Sequence, residues 1–177
     1  MTRPAPPDLL TPRLRLRRPT VADFETSLAL WQNPDVTRFI GGRPQTGEEV
    51  WARLLRYIGH WQALGFGYWI VETIDGNRFV GEVGLADYRR ETEPSFAGTP
   101  EAGWVLNPAQ HGQGYATEAA AAALAWRDGT LPGNETVAII EPGHAASLRI
   151  AEKLSFRSEG SVQYHGAPIT LLRRQRA

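Results

Sequence analysis

Hydrophobic and polar positions repeat along the first third of this chain with two different periods. Residues 13–18 alternate charged and apolar side chains, which is the pattern of a half-buried strand. A helix is predicted next, because Thr20 and Asp23 form a capping box, and Asn33-Pro34 ends it. A second capping box at Thr46 and Glu49 starts another helix. We expect both helices to bury apolar stripes in the core, namely Phe24, Leu28 and Trp31, then Val50, Leu54, Ile58 and Trp61.

The middle of the chain reads as strands. Residues 68–73 and 78–85 are rich in β-formers, and Asp75-Gly76-Asn77 between them is a strong hairpin signal. A polar loop over residues 88–100 contains two prolines and leads into a strand at 101–106.

Elements of both kinds complete the chain. We predict helices at 115–127 and 145–154, and strands at 137–140, from Phe156 onward and at 169–172. Leu148, Ala151 and Leu154 would be the buried face of the last helix. No repeat, linker or low-complexity stretch divides the sequence, so we expect one α/β domain over residues 1–177 with a core at about 9–172.

The most informative stretch runs from Gly103 to Ala120, a strand followed by a glycine-rich turn and an alanine-rich helix. Gly112 and Gly114 permit positive φ, and a helix start offers unpaired N–H groups and a positive dipole end. Together they predict a cradle for an anion such as a pyrophosphate. A dinucleotide fingerprint would need a third glycine where Thr117 stands, and the Gly-Lys-Ser/Thr ending of a P-loop is absent.

Composition and charge narrow the class of protein. Lys plus Arg equals Asp plus Glu at 19 each, so no net charge draws the chain to nucleic acid or an anionic membrane. Two arginine clusters could still form a local basic patch, but the alternation in the first favours the wet face of a strand. The clusters are Arg13, Arg15, Arg17 and Arg18, and then Arg173, Arg174 and Arg176.

Other sequence features exclude several kinds of chemistry. The chain has no cysteine, hence no disulfide, thiolate metal site or cysteine nucleophile, and we expect no metal. No apolar run reaches the ~18 residues of a membrane span, and residues 1–10 lack the apolar core of a signal peptide. A cytoplasmic protein is the expectation.

Three blocks in order, 9–16, 103–120 and 141–156, resemble the GNAT superfamily of acetyl-CoA-dependent N-acetyltransferases. The closest branch looks like the RimJ/RimL type, which acetylates protein N-termini or small amines. The resemblance covers Leu9 to Leu172. It implies an α/β (α+β) fold with a mixed, mostly antiparallel sheet of about seven strands, a splayed parallel pair and about four helices.

The resemblance also implies how acetyl-CoA would be held. The backbone of Trp104, Val105 and Leu106 would pair with the pantetheine amides like an added strand. The turn that follows would hold the pyrophosphate through its N–H groups, and two residues near the next helix start would complete the site. These residues are His111, Gly112, Gln113, Gly114, Tyr115, Ala116 and Thr117, and then His144 and Ser147.

Several positions depart from the pattern of the family. His111 replaces the usual Arg or Gln, and Ser155-Phe156 replaces Gly-Phe. His144 stands at the usual asparagine, where it is either a cap or solvent-facing residue or else a cofactor contact or proton relay. Ala151 stands at the position of a tyrosine that serves many relatives as the acid.

Catalysis would be direct attack of a neutral amine on the thioester in a ternary complex. Ser147 would protonate the thiolate or cap its helix. Glu101 is the leading candidate base, with a solvated strand end as its alternative reading. Glu82 is second, and His144 or water remain open, whereas Glu118 is expected to serve the first turn of its helix.

The acceptor pocket is predicted among aromatic side chains, whose density hints at a cationic amine held by cation–π contact. Candidates are Trp31, Phe39, Trp69, Tyr88, Phe96 and Tyr164. The function expected is an N-acetyltransferase for a protein N-terminus or small amine, with a non-catalytic CoA-binding sensor as the alternative. No nucleic-acid or membrane partner is expected, and the chain would be a monomer or homodimer.

Overall fold

One mixed sheet organises the computed structural model, which describes residues 8–176. Its eight strands lie in the order β1-β2-β3-β4-β5-β6-β8-β7. In chain order they are β1 Leu9–Leu10, β2 Leu14–Arg17, β3 Tyr68–Thr73, β4 Phe79–Ala86, β5 Glu101–Leu106, β6 Glu135–Ile140, β7 Arg157–Tyr164 and β8 Ala167–Gln175. The prediction of about seven strands omits the two-residue β1.

Five α-helices flank this sheet within residues 8–176. They are α1 Phe24–Gln32, α2 Pro34–Thr37, α3 Gly47–Leu64, α4 Tyr115–Thr130 and α5 Ala145–Lys153. Asn33-Pro34 ends α1 as predicted, but the Asn33 side chain accepts a hydrogen bond from Asp35 N at 2.9 Å and caps the short α2. This local cap gives the fifth helix. The capping box of α3 is confirmed, since Thr46 N donates to Glu49 Oε2 at 2.8 Å.

The strands β5 and β6 form the parallel pair of the sheet, and they pair at a single position, Glu101 opposite Val137. The Val137 amide also donates to the Pro100 carbonyl at 3.0 Å. Beyond this point β5 remains paired with β4 up to Leu106, but has no ladder partner on its other side. The predicted splay is therefore confirmed, and it leaves one backbone edge of β5 free.

A tryptophan cluster fixes α3 and α4 against the sheet. Trp69 on β3 has no exposed surface and meets the rings of Trp61 and Trp126 edge-on, with centroids 4.8 and 5.2 Å away. The Trp61 indole also donates to the Tyr68 carbonyl at 2.8 Å. Because Tyr68 faces the splayed strands, the cluster also fixes the position of Tyr68 relative to them.

The arginines of the N-terminal cluster lie on a wet strand face, as the alternation predicts. Arg17 makes ion pairs with Asp23 and Glu72, and Arg15 pairs with Asp8. No helix of residues 8–176 is long and apolar enough to cross a membrane. Residues 1–7 of the segment considered for a leader lie outside the described part of the chain.

Replacing Trp69 with Ala is predicted to lower the free energy of unfolding by about 3–5 kcal/mol, because it removes the buried centre of the cluster. Trp51→Ala is the matched control, since Trp51 is 41% exposed and meets the Phe24 ring edge-on outside the cluster. It should cost less than about 1 kcal/mol. Chemical denaturation measures both variants, and equal losses would contradict this role for the cluster.

Candidate functional site

A cavity of about 750 Å³ opens where β5 and β6 separate. Its walls come from α1, α3, β5, β6, the start of α5 and the β7–β8 hairpin. Tyr68 lies against Gly103, where a Cβ would collide with the tyrosine hydroxyl. The absence of a side chain at Gly103 therefore lets the hydroxyl reach the floor of the cavity.

The glycine turn lies past the end of β5. Asn107 caps a short 3-10 turn at Pro108–Gln110, and Gly112 and Gly114 then take φ values of 76° and 79°. The first helical bond of α4 runs from Glu118 N to Gly114 O at 3.1 Å. The amides that precede Glu118 in the helix therefore have no helical carbonyl to bind. Both parts of the predicted anion cradle, the positive-φ turn and the open helix start, are present.

Arg13, the residue before β2, braces this turn. Its guanidinium donates to the Gln113 carbonyl at 2.9 Å and to Glu118 Oε2 at 2.7 Å, and it lies 4.7 Å from the centre of the Tyr115 ring. Thr11 Oγ1 donates to the same carboxylate at 2.6 Å. Burial raises the pKa of Glu118, but these hydrogen bonds outweigh it and hold the pKa below its ordinary value. Glu118 therefore lies in the first turn of α4, as expected, and also ties the turn to β2.

Trp104 and Ser147 join β5 to α5 across the splay. The Trp104 indole donates to Ser147 Oγ at 3.0 Å, and Ser147 is buried at the third residue of α5. Because Oγ accepts this bond, its own hydrogen remains available to donate. Within the described residues, Ser147 makes no side-chain cap on the helix.

His144 occupies the N-cap position of α5 without capping it through its side chain. Its imidazole stacks on Phe39 with centroids 4.4 Å apart, and it is half-buried at the cavity wall. Burial lowers the pKa of His144. Burial therefore favours the neutral imidazole, which has a ring nitrogen that can accept a proton.

Glu101 opens β5 at the end away from the glycine turn. It is 6% exposed, so the reading of a solvated strand end is wrong. Arg90 engages both of its oxygens, with Nε to Oε2 at 2.6 Å and Nη2 to Oε1 at 2.8 Å. Each oxygen keeps a second lone pair that can accept a proton or a water.

Glu82 lies behind the wall of the cavity. Its carboxylate accepts hydrogen bonds from Ser27 Oγ at 2.7 Å and from the Trp31 indole at 2.9 Å, and it is 1% exposed. Burial raises the pKa of Glu82. Since Trp31 lines the cavity and Glu82 does not, proton transfer to Glu82 would need a relay.

The structure brings part of the predicted site into this cavity. Glu101, Trp104, Val105, His144 and Ser147 line it. The other predicted residues of the β5 edge and the turn lie outside the cavity wall, at the end of β5 and beyond it along the chain. They are Leu106, His111, Gly112, Gln113, Gly114, Tyr115, Ala116 and Thr117. The imidazole of His111 contacts the Leu106 carbonyl at 3.2 Å.

The aromatic candidates divide into two groups. Trp31, Phe39, Tyr88 and Tyr164 line the cavity. The prediction that Trp69 and Phe96 line the pocket is wrong. Trp69 is the centre of the tryptophan cluster, and Phe96 packs on Val137, Val162 and Leu171. Sequence reasoning also missed Arg53, Arg56 and Arg90 at the wall, since a charged residue on a helix or in a polar loop is expected to be solvated.

Comparison with known proteins identifies one family. Residues 13–157 match the family model described as an acetyltransferase (GNAT) domain. A solved structure from Bordetella pertussis, described as a GNAT-family acetyltransferase, is 34% identical, covers 96% of this chain and 99% of its own, and has a TM-score of 0.85. The uncharacterised N-acetyltransferase p20 of Bacillus licheniformis is 27% identical over 86% of this chain and 83% of its own.

A more distant structure shares the fold. Spermidine N-acetyltransferase of Vibrio cholerae, solved in complex with CoA and spermine, is 16% identical with a TM-score of 0.72. The two chains are covered over 94% and 97% of their lengths. At this identity the likeness concerns the fold alone.

Replacing Gly114 with Val is predicted to weaken binding of CoA about tenfold or more, because a β-branched residue resists φ near 79° and would displace several amide donors. Gly76→Val is the matched control, with φ of 92° and no atom within 4 Å of an added Cβ. The Gly76→Val variant should lose about as much stability as Gly114→Val and keep its affinity for CoA. Calorimetric titration measures both, and unchanged affinity in Gly114→Val would contradict the cradle.

Proposed function

The chain belongs to the acetyltransferase (GNAT) domain family, and we propose that it acetylates a primary amine in the manner of the RimJ/RimL-like branch. The acceptor would be a protein N-terminus or a small amine, and the donor acetyl-CoA. We further propose that residues 1–177 form one cytoplasmic domain with a core at about 9–172, as a monomer or homodimer.

The observation that carries this proposal is the free backbone edge of β5 between the glycine turn and the Trp104–Ser147 hydrogen bond. Unpaired backbone groups in a cleft need partners, and a ligand rich in amides supplies them as an added strand would. Trp104, Val105 and Leu106 would hold the pantetheine. The turn and the start of α4 would hold the pyrophosphate, since several amides and a helix dipole bind phosphate without a lysine.

Transfer needs proton movements on both sides of the thioester. Glu101 would accept the proton that leaves the acceptor ammonium, through a lone pair that Arg90 leaves free. The neutral amine then forms the C–N bond, the C–S bond breaks, and the nitrogen loses a second proton, which through solvent would replace the one that Ser147 gives up. Ser147 Oγ–H would protonate the departing thiolate, while Trp104 fixes the direction of the hydroxyl. With no cysteine in the sequence, we propose direct transfer without an acyl-enzyme.

A second candidate is a CoA-binding sensor without turnover. Its support is Ala151, which is fully buried at the position where the family resemblance implies a catalytic tyrosine and which offers no acidic hydrogen. The two candidates share the donor site and differ only in the chemistry. Turnover therefore separates them.

Release of free thiol from acetyl-CoA should occur with at least one class of amine in a panel of peptides, amino acids and polyamines. Glu101→Gln should lower that turnover about 100-fold or more at unchanged CoA affinity. Arg90→Gln is the matched control, since it breaks the same ion pair and keeps the carboxylate.

The outcomes of this assay are distinct. Tight CoA binding without thiol release on any amine would favour the sensor. Equal losses of turnover in Glu101→Gln and Arg90→Gln would mean that Glu101 acts as the structural partner of Arg90 and not as the base. Loss in His144→Asn, with Glu101→Gln unaffected, would assign the base to His144.

A further inference from the structure

The wall of the cavity carries more arginine than carboxylate side chains. Arg53 and Arg56 on α3 and Arg90 on the loop before β5 line it, and Glu101 and Glu141 are the carboxylates among the lining residues. Arg90 pairs with Glu101. Neither Arg53 nor Arg56 forms an ion pair with any carboxylate of residues 8–176. Two guanidinium groups therefore line this space with no carboxylate at ion-pair distance.

Arg53 is held rigidly at the wall. Its Nε donates to Gln45 Oε1 at 3.2 Å, and its guanidinium lies 3.7 Å from the centre of the Trp31 ring. It is half-buried, and Glu82, the nearest acidic group behind Trp31, already accepts two hydrogen bonds and lies beyond ion-pair distance. After its bonds to Gln45 and Tyr57, the guanidinium keeps further N–H donors.

Arg56 lies one helical turn further, at the exposed rim. Its guanidinium is 4.9 Å from the centre of the Tyr88 ring, and that of Arg90 is 4.6 Å from the same ring. Burial raises the pKa of Tyr57 and of Tyr88, so both phenols stay neutral. The tyrosines position the arginines and give them no counter-charge.

The four predicted acceptor-pocket rings that line the cavity are each faced by an arginine. Arg53 lies over Trp31, Arg38 over Phe39, Arg56 and Arg90 over Tyr88, and Arg90 also over Tyr164. His144 stacks on Phe39 as well. A polycationic acceptor would meet repulsion where the sequence hinted at cation–π binding. These contacts therefore count against the cationic acceptor that the density of aromatic side chains suggested.

Arg56 shares the Tyr88 ring with Arg90, the partner of Glu101, and so lies near the end of β5 away from the phosphate cradle, with Arg53 one helical turn along α3. Glu101 and Leu106 are the two ends of β5, about 17 Å apart at about 3.3 Å per residue, and the glycine turn lies further along the chain. A pyrophosphate on that turn cannot reach the Glu101 end. The anion that meets Arg53 and Arg56 must then come from the acceptor.

We propose that the acceptor is a primary amine that also carries a carboxylate, bound through Arg53 and Arg56. This inference rests on the proposed acetyltransfer to a primary amine. Guanidinium groups bind carboxylates in a bidentate manner, and the unpaired pair on α3 provides the donors. The same positive charge favours the neutral form of the nearby amine, because a like charge lowers the pKa of an ammonium group.

Matched acceptors test this proposal in the thiol-release assay. The pairs are amino acids and their α-amides, and short peptides with Asp or Glu against the same peptides with Asn or Gln, with spermidine as the cationic member. The carboxylated member of at least one pair should have a kcat/KM about tenfold or more above its neutral partner. The pair that shows this preference identifies the acceptor as a free amino acid or as an acidic peptide.

Variants of the arginines locate the effect. Arg56→Gln and Arg53→Gln should each reduce the preference for the carboxylate, and Arg56→Lys should retain most of it. Arg78→Gln, the same charge change on the exposed β3–β4 hairpin, should leave it unchanged. Rising salt should reduce kcat/KM for the carboxylated acceptor and not for its amide.

The outcomes separate this proposal from the function on which it rests. No thiol release with any amine would contradict the proposed function itself. Release that is as fast or faster with amides and spermidine would leave acetyltransfer standing and overturn the carboxylate. A carboxylate preference that survives in both glutamine variants would also overturn the assignment to Arg53 and Arg56.

Discussion

The separation of β5 from β6 is the feature on which the rest of this site depends. The two strands pair only at Glu101 and Val137, so the backbone of β5 beyond that point lacks a partner on one side. Unpaired backbone groups in a protein interior are costly, and the fold tolerates them here because they border a cavity that a ligand can enter. The glycine turn, the hydroxyl of Ser147 and the carboxylate of Glu101 are all placed by β5 or by elements attached to it.

Contacts between distant segments hold this arrangement. Arg13 and Glu118, 105 residues apart, lock the glycine turn against β2. Trp104 reaches Ser147 across the gap, and Tyr68 approaches β5 at Gly103, where a side chain would exclude it. These interactions are specific polar or steric contacts. The tryptophan cluster supplies the hydrophobic part, because it fixes the strand that carries Tyr68.

Local signals predicted most of the secondary structure. The capping box at Thr46, the hairpin at Asp75-Gly76-Asn77 and the helix after Gly114 act over a few residues, and the structure confirms them. The eighth strand and α2 were missed, since a two-residue strand and a single capped turn have little periodicity. The pairing of Glu101 with Arg90 and the burial of Trp69 depend on tertiary contacts, which spacing along the chain does not encode.

In the proposed function, the free edge of β5 and the glycine turn together bind acetyl-CoA. Hydrogen exchange of backbone amides in the intact chain, measured with and without acetyl-CoA, tests this binding most directly. We expect protection at residues 104–106 and 112–117, with β1 and the exposed β3–β4 hairpin unchanged. Protection elsewhere, with these two segments exchanging as in the free protein, would contradict it.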